Sequence, residues 1–222
     1  MSRPDPVEEG VVTPLRGIRR TASRRMVTAW EAPAFHLQVP VDMSLALTVK
    51  QRVPAATVTD ALLAACAAGL VAHPALNAHY GDEAVTTYER VNLGMAVATD
   101  AGLMVPVIHD ADRLDLAALA GARGDLVTRA RDGRLTMADV TGGTFTVSNL
   151  GMMGVARFDA ILNVPQVAIL AVGATTRRFV WNDGDPGWRP IADLTLTCDH
   201  RAIDGATGAA FLTAVRDQLE ST

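Results

Sequence analysis

Residues 59–73 restrict the fold more than any other segment, because they read TDALLAACAAGLVAH and are apolar almost all the way round a helix. A helix without a polar face belongs in the interior of a domain. Thr57 or Thr59 can cap its first turn, and the sequence His73-Pro74 ends it. The segment predicts one central helix around which the rest of the chain is organised.

Further helices and strands surround this segment without regular βαβ alternation, which predicts an α+β fold with a mixed sheet. Apolar spacing predicts a basic helix over 17–30, a helix over 114–131 and a closing helix over 203–220. Strands are predicted at 35–43, where Pro40 favours a sheet edge, and at 92–99, 102–108, 142–151 and 166–174, with a hairpin formed by 179–181 and 188–198 around the turn sequence NDGDPG. We expect a loose leader over 1–13 and one domain over 14–222.

Composition excludes several classes of protein. The 222 residues carry a net charge of -4, which gives no basic excess for a nucleic-acid backbone. The sequence contains no run of 18 apolar residues, so it does not predict a membrane-spanning helix. Two cysteines cannot form a disulfide framework, and His and Cys lack metal-ligand spacing, so we expect a reducing, cytoplasmic setting and no metal.

The first candidate for chemistry is CDHRAIDG at 198–205, where an alternating strand ends in charged residues and a helix begins. His200 is the one group in this segment that can act as a general base near neutral pH. Asp204 opens the last helix, where its charge suits the helix N-terminus. The alternative is a capped helix beside an incidental surface histidine.

The second candidate is GGTFTVSNLG at 142–151. Alternation places Thr144, Thr146 and Ser148 on one face of a strand. These hydroxyls form either the exposed face of an edge strand or the polar wall of a channel, where one could stabilise an oxyanion. The segment lacks the spacing of a phosphate-binding loop.

Five segments together resemble the catalytic domain of dihydrolipoamide acyltransferases, the core component of 2-oxoacid dehydrogenase complexes. They are PLRGIRRTASRRM at 14–26, TDALLAACAAGLVAHPALNA at 59–78, VNLGMAVATDAGLMVPVIHDADRLDL at 91–116, GGTFTVSNLGMMGVARFDAILNVPQVAILAVGA at 142–174 and LTLTCDHRAIDGATGAAFL at 194–212. The resemblance implies a chloramphenicol-acetyltransferase-like α+β fold. It also implies homotrimers with active sites between subunits.

The resemblance also assigns roles to residues. His200 is expected to act as the general base for an attacking thiol of coenzyme A or dihydrolipoamide, and Ser148 as the donor to the oxyanion. Asp204 is expected to maintain the shape of the site by pairing with an N-terminal arginine such as Arg25. Asn149 is expected to hold the adjacent loop.

Substrate contacts are expected from Asn149, Thr146, Met152 and Met104, and acyl-CoA is the expected partner. Lys50, the only lysine, lacks the hairpin context of a lipoylated residue. The acyl carrier is therefore expected in trans, on a lipoyl domain or an acyl carrier protein. The sequence ends without the family's apolar tail, which predicts an isolated trimer. Two alternatives are an acyltransferase with a small-molecule acceptor and a non-catalytic trimeric scaffold.

Overall fold

A computed structural model describes residues 10–182 and 185–221. In chain order the elements are α1 (Gly17–Trp30), β1 (Ala34–Asp42), α2 (Val49–Arg52), α3 (Val58–Ala72), β2 (Ala78–Gly81), β3 (Ala84–Thr87), β4 (Leu93–Met95), β5 (Val97–Thr99), β6 (Gly102–Met104), β7 (Val107–Ile108), α4 (Leu116–Arg131), β8 (Phe145–Asn149), β9 (Ala168–Val172), β10 (Thr176–Asn182), β11 (Asp185–Asp199) and α5 (Gly205–Ser221). The predicted leader over 1–13 lies mostly outside the described residues, as does part of the NDGDPG turn.

A mixed sheet of seven strands forms the centre of the fold. Its order is β1-β11-β9-β8-β4-β7, and β10 pairs with the first half of β11. Strand β8 runs parallel to β4 and β9, whereas the other pairs are antiparallel. Strand β1 lies at the sheet edge, which confirms the expectation from Pro40. The predicted α+β class with a mixed sheet is therefore correct.

Helix α3 is central, as its apolar sequence predicts. Eight of its fifteen residues are buried, and it packs mainly against α5. The two helices approach closely at Gly69, where an added Cβ would lie 3.0 Å from Val215 and 3.1 Å from Phe211. Thr57 caps the helix in a reciprocal capping box with Asp60.

The two faces of the sheet have different surroundings. Helix α5 covers one face, where Phe145 contacts Phe211 and Gly208 contacts Leu37. The opposite face carries a set of polar side chains, namely His36, Gln38, Thr146, Ser148, Thr195 and Thr197. Residues 155–163 cross part of this polar face, held by a bond from Arg157 to Gln38 and by one from Asn163 to Thr146.

Three details differ from the sequence expectation. The segments 92–99 and 102–108 each divide into two short strands, and only β4 and β7 join the large sheet. The β2–β3 hairpin was not predicted. Strand β8 lies inside the sheet between β4 and β9, so the edge-strand alternative is wrong. Among the described helices, none is long and apolar enough to cross a membrane.

Substituting Gly173 tests the close crossing of residues 155–157 over the end of β9. A Cβ built at Gly173 would overlap the carbonyl oxygen of Ala156, so the backbone would have to move. We expect Gly173→Ala to lower the free energy of unfolding by about 1–3 kcal/mol in denaturant titration. Gly121→Ala is the control, since its Cβ meets nothing within 4 Å in helix α4, and it should raise that free energy by about 0.5–1 kcal/mol. An unchanged free energy of unfolding in Gly173→Ala would contradict the close packing of Gly173 against Ala156.

Candidate active site

His200 is the first residue beyond β11, and its imidazole makes no hydrogen bond among the described residues. Its backbone N–H donates to the carbonyl oxygen of Pro33 at 3.0 Å, and its ring lies 4.6 Å from the ring of Phe35. The side chain is exposed, and neither ring nitrogen has a hydrogen-bond partner within the described part of the chain. The imidazole is therefore available to accept a proton.

The residues on either side of His200 form an ion pair with each other. Asp199 is only 2% exposed, and its carboxylate accepts bonds from the guanidinium and the backbone N–H of Arg201. The side-chain bonds with Asp199 raise the pKa of Arg201. The guanidinium also lies over the ring of Tyr80, 4.2 Å from its centre. Sequence reasoning assigned no role to Asp199, Arg201 or Tyr80, although two of them adjoin His200.

Asp204 caps the first turn of α5. Its Oδ1 accepts the backbone N–H of Thr207 at 2.7 Å, and this bond lowers the pKa of Asp204, with a smaller effect in the same direction from His200. Arg25 is exposed on α1, and no ion pair joins it to Asp204 in the described single chain. The pairing of Arg25 with Asp204 stays a prediction.

Ser148 lies near the end of β8 on the polar face of the sheet. It is half-buried, and its hydroxyl has no hydrogen-bond partner among the described residues. Thr146 differs, because it is 1% exposed, donates to Gln166 Oε1 at 2.6 Å and accepts from Asn163 at 3.1 Å. The Thr146 hydroxyl is therefore buried and already hydrogen-bonded in this chain, and its expected substrate contact stays a prediction.

A cavity of about 430 Å³ lies beside the ends of β8 and β9. Asn149 contributes to its wall and ties the site together, since its Nδ2 donates to Thr59 Oγ1 and its Oδ1 accepts the N–H of Gly151. Met152 also lines the cavity, as does the only lysine, Lys50. The described lining does not include the expected Met104, which lies on β6.

The remaining lining residues are Met43, Leu47, Val49, Thr57, Val58, Thr59, Leu62, Gly151, Val172, Gly173 and Thr175. Most of them are apolar, with a few hydroxyls among them. Within residues 10–182 and 185–221, no three His, Cys, Asp or Glu side chains are grouped to hold a metal ion. The cavity therefore suits an organic ligand with an apolar body and an anionic end near Lys50.

The sheet register places Ser148 and His200 far apart. Ser148, Ala171 and Thr195 occupy one row across β8, β9 and β11. His200 lies five residues beyond Thr195, and strands rise about 3.3 Å per residue and lie about 4.8 Å apart. The two groups are therefore separated by on the order of 15–20 Å, whereas a shared reacting atom must lie about 3 Å from each. Within one chain, the register therefore leaves the backbones of Ser148 and His200 too far apart for a close approach of the two side chains.

Comparison with known proteins identifies one family and relatives of the same kind. The family described as 2-oxoacid dehydrogenases acyltransferase (catalytic domain) matches residues 8–222. The dihydrolipoyllysine-residue acetyltransferase component of the pyruvate dehydrogenase complex of Rickettsia bellii is 34% identical, covering 96% of this chain and 54% of that protein. The corresponding component of the acetoin cleaving system of Bacillus subtilis is 39% identical, covering 93% and 54%. The chain thus spans about half the length of these curated relatives.

Solved structures show the same fold. The dihydrolipoamide acetyltransferase of Azotobacter vinelandii superposes with a TM-score of 0.91 at 31% identity, covering 100% of this chain and 98% of that one. A truncated catalytic core of the 2-oxoacid dehydrogenase complex of Thermoplasma acidophilum gives 0.88 at 32% identity, covering 96% and 99%. A chloramphenicol acetyltransferase gives 0.59 at 13% identity, covering 88% and 94%, which is a likeness of fold alone. The predicted chloramphenicol-acetyltransferase-like fold is confirmed.

Proposed function

The chain belongs to the acyltransferase catalytic-domain family of the 2-oxoacid dehydrogenases, and from this premise we propose that it transfers an acyl group between coenzyme A and a carrier thiol. The carrier thiol is a dihydrolipoyl group or another protein-bound thiol. The proposal rests on one observation. The His200 imidazole and the Ser148 hydroxyl both lack a hydrogen-bond partner among the described residues. Both groups are fixed to the ends of sheet strands, which suits preorganised catalysis.

The chemistry follows from the properties of these two groups. His200 removes the proton from the attacking thiol, because a free thiol has a pKa near 8.5 and is mostly protonated at neutral pH. The resulting thiolate attacks the thioester carbonyl carbon, and the Ser148 hydroxyl donates a hydrogen bond to the oxyanion. The intermediate collapses by breaking the original C–S bond, and the departing thiolate takes the proton from the His200 imidazolium.

One relative supports this pair of residues. The Azotobacter vinelandii structure comes from work on the roles of a serine, a histidine and an asparagine in the mechanism of that acetyltransferase. In that enzyme the asparagine follows the histidine by four residues, which is also the separation of Asp204 from His200 here. We infer that Asp204 occupies the place of that asparagine and holds the His200 turn by capping α5.

The separation of Ser148 from His200 supports a site shared between copies of the chain. In a cyclic trimer, each interface can bring Ser148 of one copy to His200 of the next, so that three equivalent sites form. The exposed apolar residues of α1, which include Met26, Val27 and Trp30, are consistent with a further surface covered by a neighbour. The homotrimer is therefore part of the proposal.

The cavity beside β8 and β9 is the proposed binding site for the pantetheine chain of acyl-CoA. Its apolar lining suits a pantetheine chain, and Lys50 supplies a cation for the phosphates of coenzyme A. Lys50 lies in helix α2, so it is not placed as a lipoyl attachment site at a hairpin tip. Since it is the only lysine in these 222 residues, the lipoyl group is carried by another domain.

Substitution of the two unengaged groups tests the proposed chemistry. We expect His200→Ala to lower kcat for acyl transfer from acetyl-CoA to dihydrolipoamide by about 10²–10⁴-fold. Ser148→Ala should lower it by about 10²–10³-fold, because the oxyanion loses its donor. His109→Ala is the control, since its imidazole bonds to the carbonyl oxygen of Ala138 at the surface and should leave kcat unchanged. Equal activity of His200→Ala and the wild type would refute the proposed function.

Substitution of Lys50 tests the placement of coenzyme A. An exposed ion pair contributes about 0.2–1 kcal/mol, so Lys50→Gln should raise KM for acyl-CoA by about 1.4- to fivefold at low salt. The effect should disappear with an acyl-pantetheine substrate, which lacks the nucleotide phosphates. Lys50→Arg retains the charge and should behave like the wild type. If Lys50→Gln raised KM equally for both substrates, Lys50 would not be bound to phosphate.

A further inference from the structure

The ring of Tyr80 contacts the guanidinium of Arg201, the residue that follows His200, although Tyr80 and Arg201 are far apart in sequence. Tyr80 belongs to the short strand β2, and its backbone N–H donates to the carbonyl oxygen of Pro165 at 2.8 Å. Val167 links β2 to the end of β11. Its N–H donates to the carbonyl oxygen of Ala78 at 3.1 Å, and its carbonyl oxygen accepts the N–H of Asp199 at 2.8 Å. Strand β2, residues 165–167 and the His200 turn are therefore connected by backbone hydrogen bonds.

A second connection runs through side chains. The guanidinium of Arg201 lies 4.2 Å from the centre of the Tyr80 ring, and its Nη2 donates to Asp199 at 2.6 Å. Its Nε donates to the same carboxylate at 2.9 Å. The cation thus contacts both an aromatic face and a carboxylate, and each contact is favourable. Tyr80 and Asp199 leave the Arg201 side chain little freedom to turn.

Along the chain, His200 lies between the two residues of the ion pair. Its own ring makes an aromatic contact with Phe35 and no hydrogen bond within the described residues. The Arg201 side chain is 35% exposed, so without the ring of Tyr80 it could turn towards water. Asp199 would then keep a buried carboxylate with a weaker partner, which favours rearrangement of the turn.

We propose that Tyr80 is a positioning residue for His200, acting through the ion pair of Arg201 with Asp199. The proposal rests on the proposed role of His200 as the general base. The aromatic face of Tyr80, rather than its hydroxyl, is the group that acts, because the contact is between the ring and the guanidinium. A displacement of about 1 Å at a reacting group can cost about 10²-fold in rate, so a loosened turn lowers kcat.

Kinetics of three variants test the proposal. We expect Tyr80→Leu to lower kcat about tenfold or more, with KM for acyl-CoA within about twofold of the wild type, because Tyr80 does not line the cavity. Tyr80→Phe keeps the aromatic face, so its kcat should be close to that of the wild type. Tyr88→Leu is the matched control, since Tyr88 is the other tyrosine, contacts His79 in the same region and does not touch Arg201.

Two results would overturn the proposal. One is a fall in kcat that is equal for Tyr80→Leu and Tyr88→Leu, which indicates a general loss of structure. The other is a Tyr80→Phe variant as slow as Tyr80→Leu. If Tyr80→Leu does not fold, Arg201→Lys replaces it, because lysine keeps the charge and loses the planar, stacked group. An unchanged kcat in Arg201→Lys would equally overturn the proposal.

A spectroscopic measurement separates this proposal from the proposed function. The ring-proton NMR signals of His200 are identified by their loss in His200→Asn. They should shift and broaden in Tyr80→Leu and remain unchanged in Tyr88→Leu. The readout needs no turnover, so an inactive wild type would refute acyl transfer while the positioning role is still tested. Identical His200 signals in Tyr80→Leu and the wild type would contradict the positioning role.

Discussion

The pairing of strand β11 determines where both candidate catalytic groups lie. This strand is fifteen residues long, pairs with β1, β9 and β10, and ends next to His200. Through β9 it also fixes the position of β8, and therefore of Ser148. A register shift of one residue would move every side chain of the strand to the opposite face, so the separation of the two groups cannot be adjusted locally. The proposed sharing of a site between copies of the chain rests on this register.

The two halves of the candidate site are fixed in different ways. On the His200 side, Asp199 and Arg201 bond to each other across the histidine, and Asp204 caps the helix that follows. On the Ser148 side, the strand lies inside the sheet and Asn149 ties the next loop to α3. In both halves the side chain of the proposed catalytic residue makes no hydrogen bond among the described residues, while its neighbours are bonded. Such preorganisation stabilises a developing charge without movement during the reaction.

Sequence patterns predicted the elements whose determinants are local. The helical period and Pro33 predicted the bounds of α1, and the two candidate caps for α3 included Thr57, which is the residue that caps it. The short β3 strand was missed because its four residues are all exposed and show no alternation. Alternation placed Thr146 on the correct face, but it could not show that Asn163 and Gln166 cover the hydroxyl. The contact of Arg201 with Tyr80 depends on tertiary packing, which a local pattern does not contain.

Mixing two inactive variants tests the shared site most directly. His200→Ala chains and Ser148→Ala chains would be unfolded, combined in equal amounts and refolded together. If each site takes Ser148 from one copy and His200 from its neighbour, about a quarter of the sites in randomly mixed trimers keep both groups. We then expect about a quarter of the wild-type activity, although each variant alone is nearly inactive. A mixture no more active than its components would contradict the shared site.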